Sequence, residues 1–328
     1  MTRTRLACHA AAALLLAAPA LAGPVVHTFS IVARDPKTGQ MGVAVQSHWF
    51  SVGSSVTWGE AGVGVVATQS IIDPGYGPKA LELMRGGMSA PDALARLLAA
   101  DNEREVRQVA VLDAQGRVAA HTGRLCIAKA GHAAGSQFSA QANIMASDSV
   151  WPAMARAFEK TEGDLAERLL AALDAAQAEG GDLRGRQSAA ILVVEPKGTG
   201  RPWAGADRVF DLRVEDHPEP LKELRRLVRL QRAYAHANHG DQLVSEKKVD
   251  EALAEYAAAA QLAPEIVELP FWQAVTLAAI GREAEAMPIF REVFAKEPAW
   301  AELVPRLPEA KQLPDDRALV DRILAQKK

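Results

Sequence analysis

Cysteine is nearly absent from this sequence. The 328 residues include two cysteines, Cys8 and Cys126, and Cys8 lies in an N-terminal segment with the form of a removable signal. Cys126 is then alone in the mature chain, so no intramolecular disulfide can form even in an oxidising compartment. The sequence therefore predicts a fold that is stabilised by packing rather than by covalent cross-links.

An excess of charge of one sign is also lacking. The formal net charge is -3 and aromatic residues make up 5% of the chain, so there is neither a polybasic field for a phosphate backbone nor a platform on which bases stack. Zinc-site spacings, phosphate-binding glycine loops, dinucleotide fingerprints and nucleophile elbows are absent as well. We expect no nucleic-acid partner, no metal and no cofactor.

Long hydrophobic runs are missing too, apart from a short one near the N-terminus. Arg3 and Arg5 precede an apolar stretch at 10–18, and Ala20-Leu21-Ala22 has the small-x-small form that signal peptidase reads. The stretch is shorter than the roughly 20 residues of a membrane-spanning helix. We therefore predict a signal peptide at 1–22, a mature chain that starts at Gly23 without a transmembrane segment, and a periplasmic or secreted protein.

Residues 23–220 show the pattern of an α+β domain. Alternating apolar segments predict strands near 27–34, 40–46, 61–70, 108–112, 117–122, 188–194 and 209–214. Helical spacing predicts one helix pair at 79–85 and 90–100 and a second at 151–160 and 165–178. Two helix pairs between groups of antiparallel strands favour a four-layer αββα sandwich, and an open three-layer α+β domain is the alternative.

The pattern changes to all-helical beyond about residue 220. Residues 34 apart match in Glu251 and Glu285, Ala252 and Ala286, Tyr256 and Phe290, and Pro264 and Pro298. That period resembles the tetratricopeptide repeat, and an ordinary helical hairpin is the alternative. We predict a linker helix at 221–232 and a small helical repeat domain at 233–328, in which 315–325 caps the stack.

A basic stripe follows the predicted linker helix. Its members are Lys222, Arg225, Arg226, Arg229 and Arg232, at helical spacing. The favoured interpretation is a solvated face of an amphipathic helix, and the alternative is a binding site for an anionic partner.

Several short motifs occur in a fixed order between residue 28 and about 230. They are TFSIVARD (28–35), GVAV (42–45), GVG (62–64), ATQ (67–69), YGP (76–78), GRQSAA (185–190) and RVEDHP (213–218). They resemble the signature stretches of the family called domain of unknown function 1028. Members of that family are similar to N-terminal nucleophile hydrolases in fold, so the resemblance also implies the αββα sandwich.

The resemblance implies a candidate catalytic site around Thr28, the residue at the matching strand start. In N-terminal nucleophile hydrolases, a Thr, Ser or Cys that begins the mature chain attacks an amide carbonyl, and its own α-amino group serves as the base. The implied helpers are Ser30 and Gln69 near strand ends, Asn143 as an oxyanion donor, and Gln187 beside the late strand. The implied activity is hydrolysis of an amide or peptide-like bond, with an unknown substrate.

The sequence departs from that arrangement in one respect. Cleavage after Ala22 leaves residues 23–27 ahead of Thr28, so the nitrogen of Thr28 is an amide nitrogen that cannot accept a proton. Either a second cleavage exposes Thr28, or Thr28 is not a nucleophile. The second case predicts a non-catalytic protein on the same fold that binds a small ligand or a cell-envelope component. In both cases the helical repeats would bind a protein partner or organise oligomers, and a homodimer is compatible with the sheet architecture. A third alternative makes the repeats the functional part of the protein and the first domain their scaffold.

Overall fold

The computed structural model describes residues 25–26, 28–201 and 205–327. The predicted signal peptide at 1–22 lies outside these residues. Within them the strands form two antiparallel sheets. The first sheet contains β1 (Val25–Val26), β4 (Thr57–Glu60), β5 (Gly64–Ile71), β6 (Arg107–Asp113) and β7 (Val118–Thr122). In this sheet β6 lies between β5 and β7, and both β1 and β4 pair with β5 along its other edge.

The second sheet has the strand order β11-β10-β3-β2-β9-β8. Its members are β2 (Thr28–Arg34), β3 (Met41–Ser47), β8 (Gly131–Gly135), β9 (Phe138–Ala142), β10 (Ser188–Val194) and β11 (Arg208–Val214). The register of β2 with β3 aligns Thr28 with Ser47 and Arg34 with Met41. β2 therefore lies in the middle of the sheet, where both of its edges are paired.

Helices cover the outer face of each sheet. α1 (Gly53–Val56) is a single turn; α2 (Tyr76–Arg85) and α3 (Ala90–Ala100) pack on the first sheet, and α4 (Val150–Lys160) and α5 (Leu165–Ala178) pack on the second. The N-terminus of α3 is capped by Ser89, whose side chain accepts a hydrogen bond from the Asp92 amide. α2 begins at Tyr76, three residues before the helix predicted at 79–85, because Pro78 is tolerated in the first turn of a helix.

Three apolar cores hold these layers together. One lies between the sheets and joins Val32, Val43, Val65, Leu112 and Leu192, among others. The second joins the outer face of the first sheet to α2 and α3, and the third joins the outer face of the second sheet to α4 and α5. Each sheet thus packs against the other sheet on one face and against a helix pair on the other, which confirms the mixed α+β class.

The C-terminal region is helical. It contains α6 (Pro220–Ser245), α7 (Val249–Leu262), α8 (Glu268–Ala279), α9 (Glu283–Lys296), short 3₁₀ turns at Pro298–Glu302 and Val304–Arg306, and α10 (Arg317–Leu324). The 34-residue period reappears in the structure, since α7 and α9 begin and end 34 residues apart. The matched residues Ala252, Ala286, Tyr256 and Phe290 are all buried.

α6 connects the two regions. It runs without a break across the boundary predicted between the linker helix at 221–232 and the repeat domain at 233–328. Leu221, Leu224 and Val228 pack in the core of the second sheet, whereas Ala233 and Leu243 pack among the C-terminal helices. A helix that contributes to both cores ties the helical region to the sandwich.

The basic stripe of α6 is engaged in intramolecular ion pairs. Arg225 contacts Glu167 at 2.9 Å and also Asp174, and Arg232 contacts Asp164 at 2.7 Å, so both join α6 to α5 or its N-cap. The other pairs are Lys222 with Glu219, Arg226 with Glu223, and Arg229 with Glu265. Arg225, Arg229 and Arg232 therefore bind α6 to other segments of the chain, whereas Lys222 and Arg226 stay on an exposed face and pair only with neighbours three residues away.

Candidate functional site

Polar side chains gather at one end of the layer between the sheets. Strand alternation points them into this layer, next to the apolar core described above. We call the following residues the amide cluster: Thr28, Ser30, Ser47, Gln69, Gln108, Gln141 and Asn143, each of which has no exposed surface. Of the five site residues that the sequence predicts, the structure brings Thr28, Ser30, Gln69 and Asn143 together here.

Gln69 is the centre of the amide cluster. Its Nε2 donates to the carbonyl oxygen of Thr28 at 3.0 Å and to Oε1 of Gln108 at 2.7 Å. Its Oε1 accepts a hydrogen bond from Oγ of Ser30 at 2.6 Å. Because β5 belongs to the first sheet and β2 to the second, these bonds join the two sheets across the layer.

Thr28 begins β2 and is held at both its side chain and its main chain. Its Oγ1 donates to Oγ of Ser47 at 3.1 Å. Its carbonyl oxygen accepts from Nε2 of Gln69, from the backbone amide of Asn143 at 3.1 Å, and from Nδ2 of Asn143 at 3.4 Å. Nδ2 of Asn143 also donates to Oε1 of Gln108 at 2.9 Å, so N–H donors surround the start of the strand.

Gln187 lies apart from the amide cluster. Its backbone amide donates to the carbonyl of Ser47, and its carbonyl accepts from the amide of His217. The alternation along β10 places Gln187 on the side of Ala189, which packs in the core on the outer face of the second sheet. The sequence predicts a strand-end position correctly but does not show on which face the side chain lies.

Gln108 and Gln141 are members of the amide cluster that the sequence patterns did not identify. Nε2 of Gln141 donates to Oγ of Ser30 at 2.7 Å. Gln108 accepts from both Gln69 and Asn143. The available signal was a long amide side chain at the end of an apolar strand, a feature that Gln69, Gln108 and Gln141 share.

The amide cluster extends to the surface at His132. Nε2 of Gln108 donates to Oγ1 of Thr122 at 2.9 Å, and that hydroxyl lies 2.9 Å from Nδ1 of His132. Because Oγ1 of Thr122 accepts a hydrogen bond from Gln108, the hydroxyl proton of Thr122 is available to donate to an unprotonated Nδ1 of His132. Partial burial, together with the neighbouring His121, lowers the pKa of His132 below its ordinary value, which favours this neutral form.

The segment ahead of Thr28 also has a defined place. In β1, Val25 pairs with Ile71 and Val26 pairs with Ser70, so this strand belongs to the first sheet. Thr28 pairs with Ser47 in the second sheet. Val26 thus belongs to the first sheet and Thr28 to the second, at the end of the layer where the amide cluster lies.

Exposed apolar side chains surround the same end of the sandwich. Among the described residues, six large apolar side chains are clearly exposed, and four of these, Phe50, Leu125, Ile127 and Leu183, form what we call the apolar rim. Leu183 and Ile127 flank Ile144, which hydrogen-bonds to both through its backbone. Phe50 lies three residues after Ser47, and Ile144 directly follows Asn143. The apolar rim therefore lies on loops that either continue from the amide cluster or contact such a loop.

Other reactive side chains give a weaker site. Sγ of Cys126 donates to the carbonyl of Arg107 at 3.3 Å, and burial raises the pKa of the thiol, which disfavours the nucleophilic thiolate. Within the part of the chain that the structure describes, no group of three or more His, Cys, Asp or Glu side chains is arranged to hold a metal ion. The helices described also include none with the length and apolar character needed to cross a membrane.

Comparisons with known proteins define the family. A family model described as DUF1028, a family of unknown function, matches residues 28–224. The chain is similar to the crystal structure of protein SPO2555 from Silicibacter pomeroyi, described with the same family, at 32% identity and a TM-score of 0.55. That similarity covers 61% of this chain and 87% of the other. No curated protein matches significantly. The family match spans more than half of the sequence and includes the whole amide cluster, so the chain belongs to the DUF1028 family.

Proposed function

We propose that this chain is the exported precursor of an amide or peptide hydrolase of the N-terminal nucleophile type, with Thr28 as the nucleophile. The placement of Thr28 carries most weight. It begins a central strand, its hydroxyl faces the layer between two sheets, and side-chain amide donors from both sheets converge around it. Preorganised donors of this kind stabilise the oxyanion that develops during amide hydrolysis.

The chemistry requires a free amine on Thr28. The α-amine, with an ordinary pKa near 8, takes the proton from Oγ1 while Oγ1 bonds to the carbonyl carbon of the substrate. The amide C–N bond then breaks, and the proton passes from the α-amine to the leaving nitrogen. Water hydrolyses the resulting ester and restores the hydroxyl. Nδ2 of Asn143 is the favoured oxyanion donor, because it would exchange its longer hydrogen bond, 3.4 Å to the carbonyl of Thr28, for one to the oxyanion.

The chain as it stands is the inactive form in this proposal. A peptide bond blocks the nitrogen of Thr28, and its side chain has no exposed surface. β1 pairs with only two residues of β5, so cleavage before Thr28 would release a short segment that the sheet holds weakly. That cleavage would supply the amine and release β1 from its pairing with β5 in the first sheet.

The apolar rim supports a substrate with an apolar group next to the scissile amide. Leu183 has 70% of its surface accessible, and covering exposed apolar side chains of this kind with a ligand makes the free energy of binding more favourable. An acyl chain or an apolar peptide side chain would contact Phe50, Ile127 and Leu183 while its carbonyl reaches Thr28.

Three finer assignments belong to the same proposal. The order of helix pair, sheet, sheet and helix pair supports the αββα sandwich of N-terminal nucleophile hydrolases. The exact 34-residue offset of α7 and α9 supports tetratricopeptide-like repeats that serve as a protein-interaction module. The N-terminal pattern at 1–22 supports export to the periplasm or secretion.

A non-catalytic ligand-binding protein is the second candidate function. It is favoured by the dense internal bonding of the amide cluster, in which Ser30, Gln69 and Gln141 already bond to one another. Such a network also fits a structural role in which no substrate reaches Thr28.

Labelling with an alkyl β-lactone tests the first function without knowledge of the substrate. One protein begins at Gly23, and a second begins at Thr28 after a protease has removed a fused partner. A nucleophilic Thr28 opens the lactone ring and retains the whole reagent as an ester. We expect one added lactone mass, located on Thr28 by peptide mapping, in the second protein and none in the first.

Two variants of the shorter protein serve as controls. Thr28→Ser should still be labelled, whereas Thr28→Ala should not, and circular dichroism should show the same fold in all of them. No adduct on a folded chain that begins at Thr28, or equal labelling of both proteins, would overturn the hydrolase proposal in favour of the non-catalytic function.

A further inference from the structure

A groove between the C-terminal helices combines aromatic rings with carboxylates. It has a volume of about 730 Å³ and runs between α6 and α8, with Tyr256 of α7 and the segment around Lys311 also lining it. The residues that matter here, all of which line it, are Tyr234, Asp241, Tyr256, Glu268, Trp272 and Lys311. We call this the aromatic groove; it is far in sequence from the amide cluster and does not depend on the role of Thr28.

Both carboxylates in the groove are held in place by aromatic donors. Glu268 accepts a hydrogen bond from the Tyr234 hydroxyl at 2.9 Å and one from Nε1 of Trp272 at 3.4 Å. Asp241 accepts from the Tyr256 hydroxyl at 2.6 Å. Neutral donors fix the orientation of a carboxylate without neutralising it, so both negative charges remain available to a ligand.

The apolar surface of the groove is open to solvent. Tyr234 and Ile280 line it, and they complete the set of six exposed large apolar side chains whose other members form the apolar rim. Aromatic faces beside fixed carboxylates attract cations, because the ring quadrupole is negative above the ring plane. The two carboxylates outnumber the single ammonium of Lys311, so the lining carries an excess of negative charge.

We propose that the aromatic groove binds a peptide segment of a partner protein through a lysine or arginine side chain. The cationic head lies between Glu268 and Asp241, and its aliphatic stem packs on Tyr234 and Trp272. Lys311 and Gln312, which also line the groove, donate to carbonyl oxygens of the peptide backbone. Charge complementarity therefore selects basic over acidic segments at this surface.

A peptide library tests this proposal on the full mature chain. Capped heptapeptides with random flanks carry arginine, lysine, citrulline or glutamate at the centre, and the immobilised protein selects among them. We expect enrichment of arginine and lysine. Calorimetry should then show that a selected arginine peptide binds at least tenfold more tightly than its citrulline counterpart, which has the same shape without the charge.

Charge-removing variants locate the binding surface. Glu268→Gln and Asp241→Asn keep an acceptor for the aromatic hydroxyls, and each should weaken the selected arginine peptide about tenfold. Glu292→Gln on α9 removes the same charge from an exposed site outside the groove and should leave binding unchanged. Equal weakening by Glu292→Gln, preference for glutamate peptides, or no enrichment at all would overturn the proposal. So would self-association of the chain that Glu268→Gln abolishes, since a second copy would then be the occupant.

Discussion

The layer between the two sheets has two ends built on the same strands. Along β2, β5 and β6, one end presents Val32, Val65 and Leu112, whereas the other presents Ser30, Gln69 and Gln108. Both ends are fully buried, and the same strand alternation produces both. They differ only in the chemistry of the side chains that point inward.

This difference indicates which end is built for stability alone. Apolar side chains stabilise a buried layer without any requirement for partners. Buried amides must have a hydrogen-bond partner for each donor and acceptor, because an unsatisfied group lowers stability. Even when every partner is present, their net contribution to stability is small. A cluster with three glutamines and an asparagine is therefore more than the two sheets need to fold, and this excess supports our proposal that the chemistry takes place at that end.

Leu112→Ala at the apolar end should give the largest loss of stability. The side chain is fully buried among both sheets, so its removal leaves a cavity and lowers the free energy of unfolding by about 3 kcal/mol. Urea unfolding followed by circular dichroism measures this loss. Leu125→Ala, a change of the same size at an exposed position, is the control and should stay within about 0.5 kcal/mol of the unmodified chain.

Gln69→Leu at the polar end should destabilise the chain by a smaller amount, about 2 kcal/mol. The hydroxyl of Ser30 loses its acceptor, and Oε1 of Gln108 loses one of its two donors. The same urea experiment applies. Unchanged stability would show that the amide cluster is not satisfied internally, and the contrast between the two ends would lose its basis.

The double variant Gln69→Leu/Gln108→Leu measures how strongly these two glutamines depend on each other for stability. Replacing both partners of a buried hydrogen bond leaves fewer unsatisfied groups than replacing one. We therefore expect its loss of stability to be about 1 kcal/mol smaller than the sum of the two single losses. Additive losses would mean that Gln69 and Gln108 act independently in spite of their 2.7 Å contact.

The smallest effect is expected where the amide cluster reaches the surface. The pKa of His132 is lowered in the folded chain, so the unfolded chain takes up a proton first as the pH falls below about 6.5. Stability should therefore decrease between pH 6.5 and the lower folded pKa, and it should decrease less in His132→Gln. NMR titration of the His132 ring checks this directly, and a folded pKa at or above 6.5 would contradict it.

Most of the fold could be predicted from local patterns. β2, β3 and β10 alternate or are continuously apolar, and α3 carries its own cap. β8 was missed because Gly131–Gly135 consists mainly of glycine and alanine, which give no hydrophobic period. β9 was missed as well, although it lies next to β2 and leads to Asn143. Tertiary pairing, rather than local propensity, makes these two segments strands.

The candidate site was predicted only in part, because it depends on which strands meet. Thr28, Ser30, Gln69 and Asn143 were identified from family motifs and positions near strand ends. Their contact with Gln108 and Gln141 requires the register between β5 and β6 and between β2 and β9, which no single segment encodes. The face of Gln187 could not be predicted for the same reason, since a shift of one residue along a strand moves a side chain to the opposite face of the sheet.

The N-terminus of the protein recovered from an exporting host shows whether Thr28 gains the free amine that catalysis requires. Sequencing together with intact-mass measurement identifies the first residue of the mature chain. We expect Thr28, with β1 removed and a free amine beside the Thr28 hydroxyl. A mature chain that still begins at Gly23 would contradict this expectation, because residues 23–27 would leave Thr28 without the base that its chemistry requires.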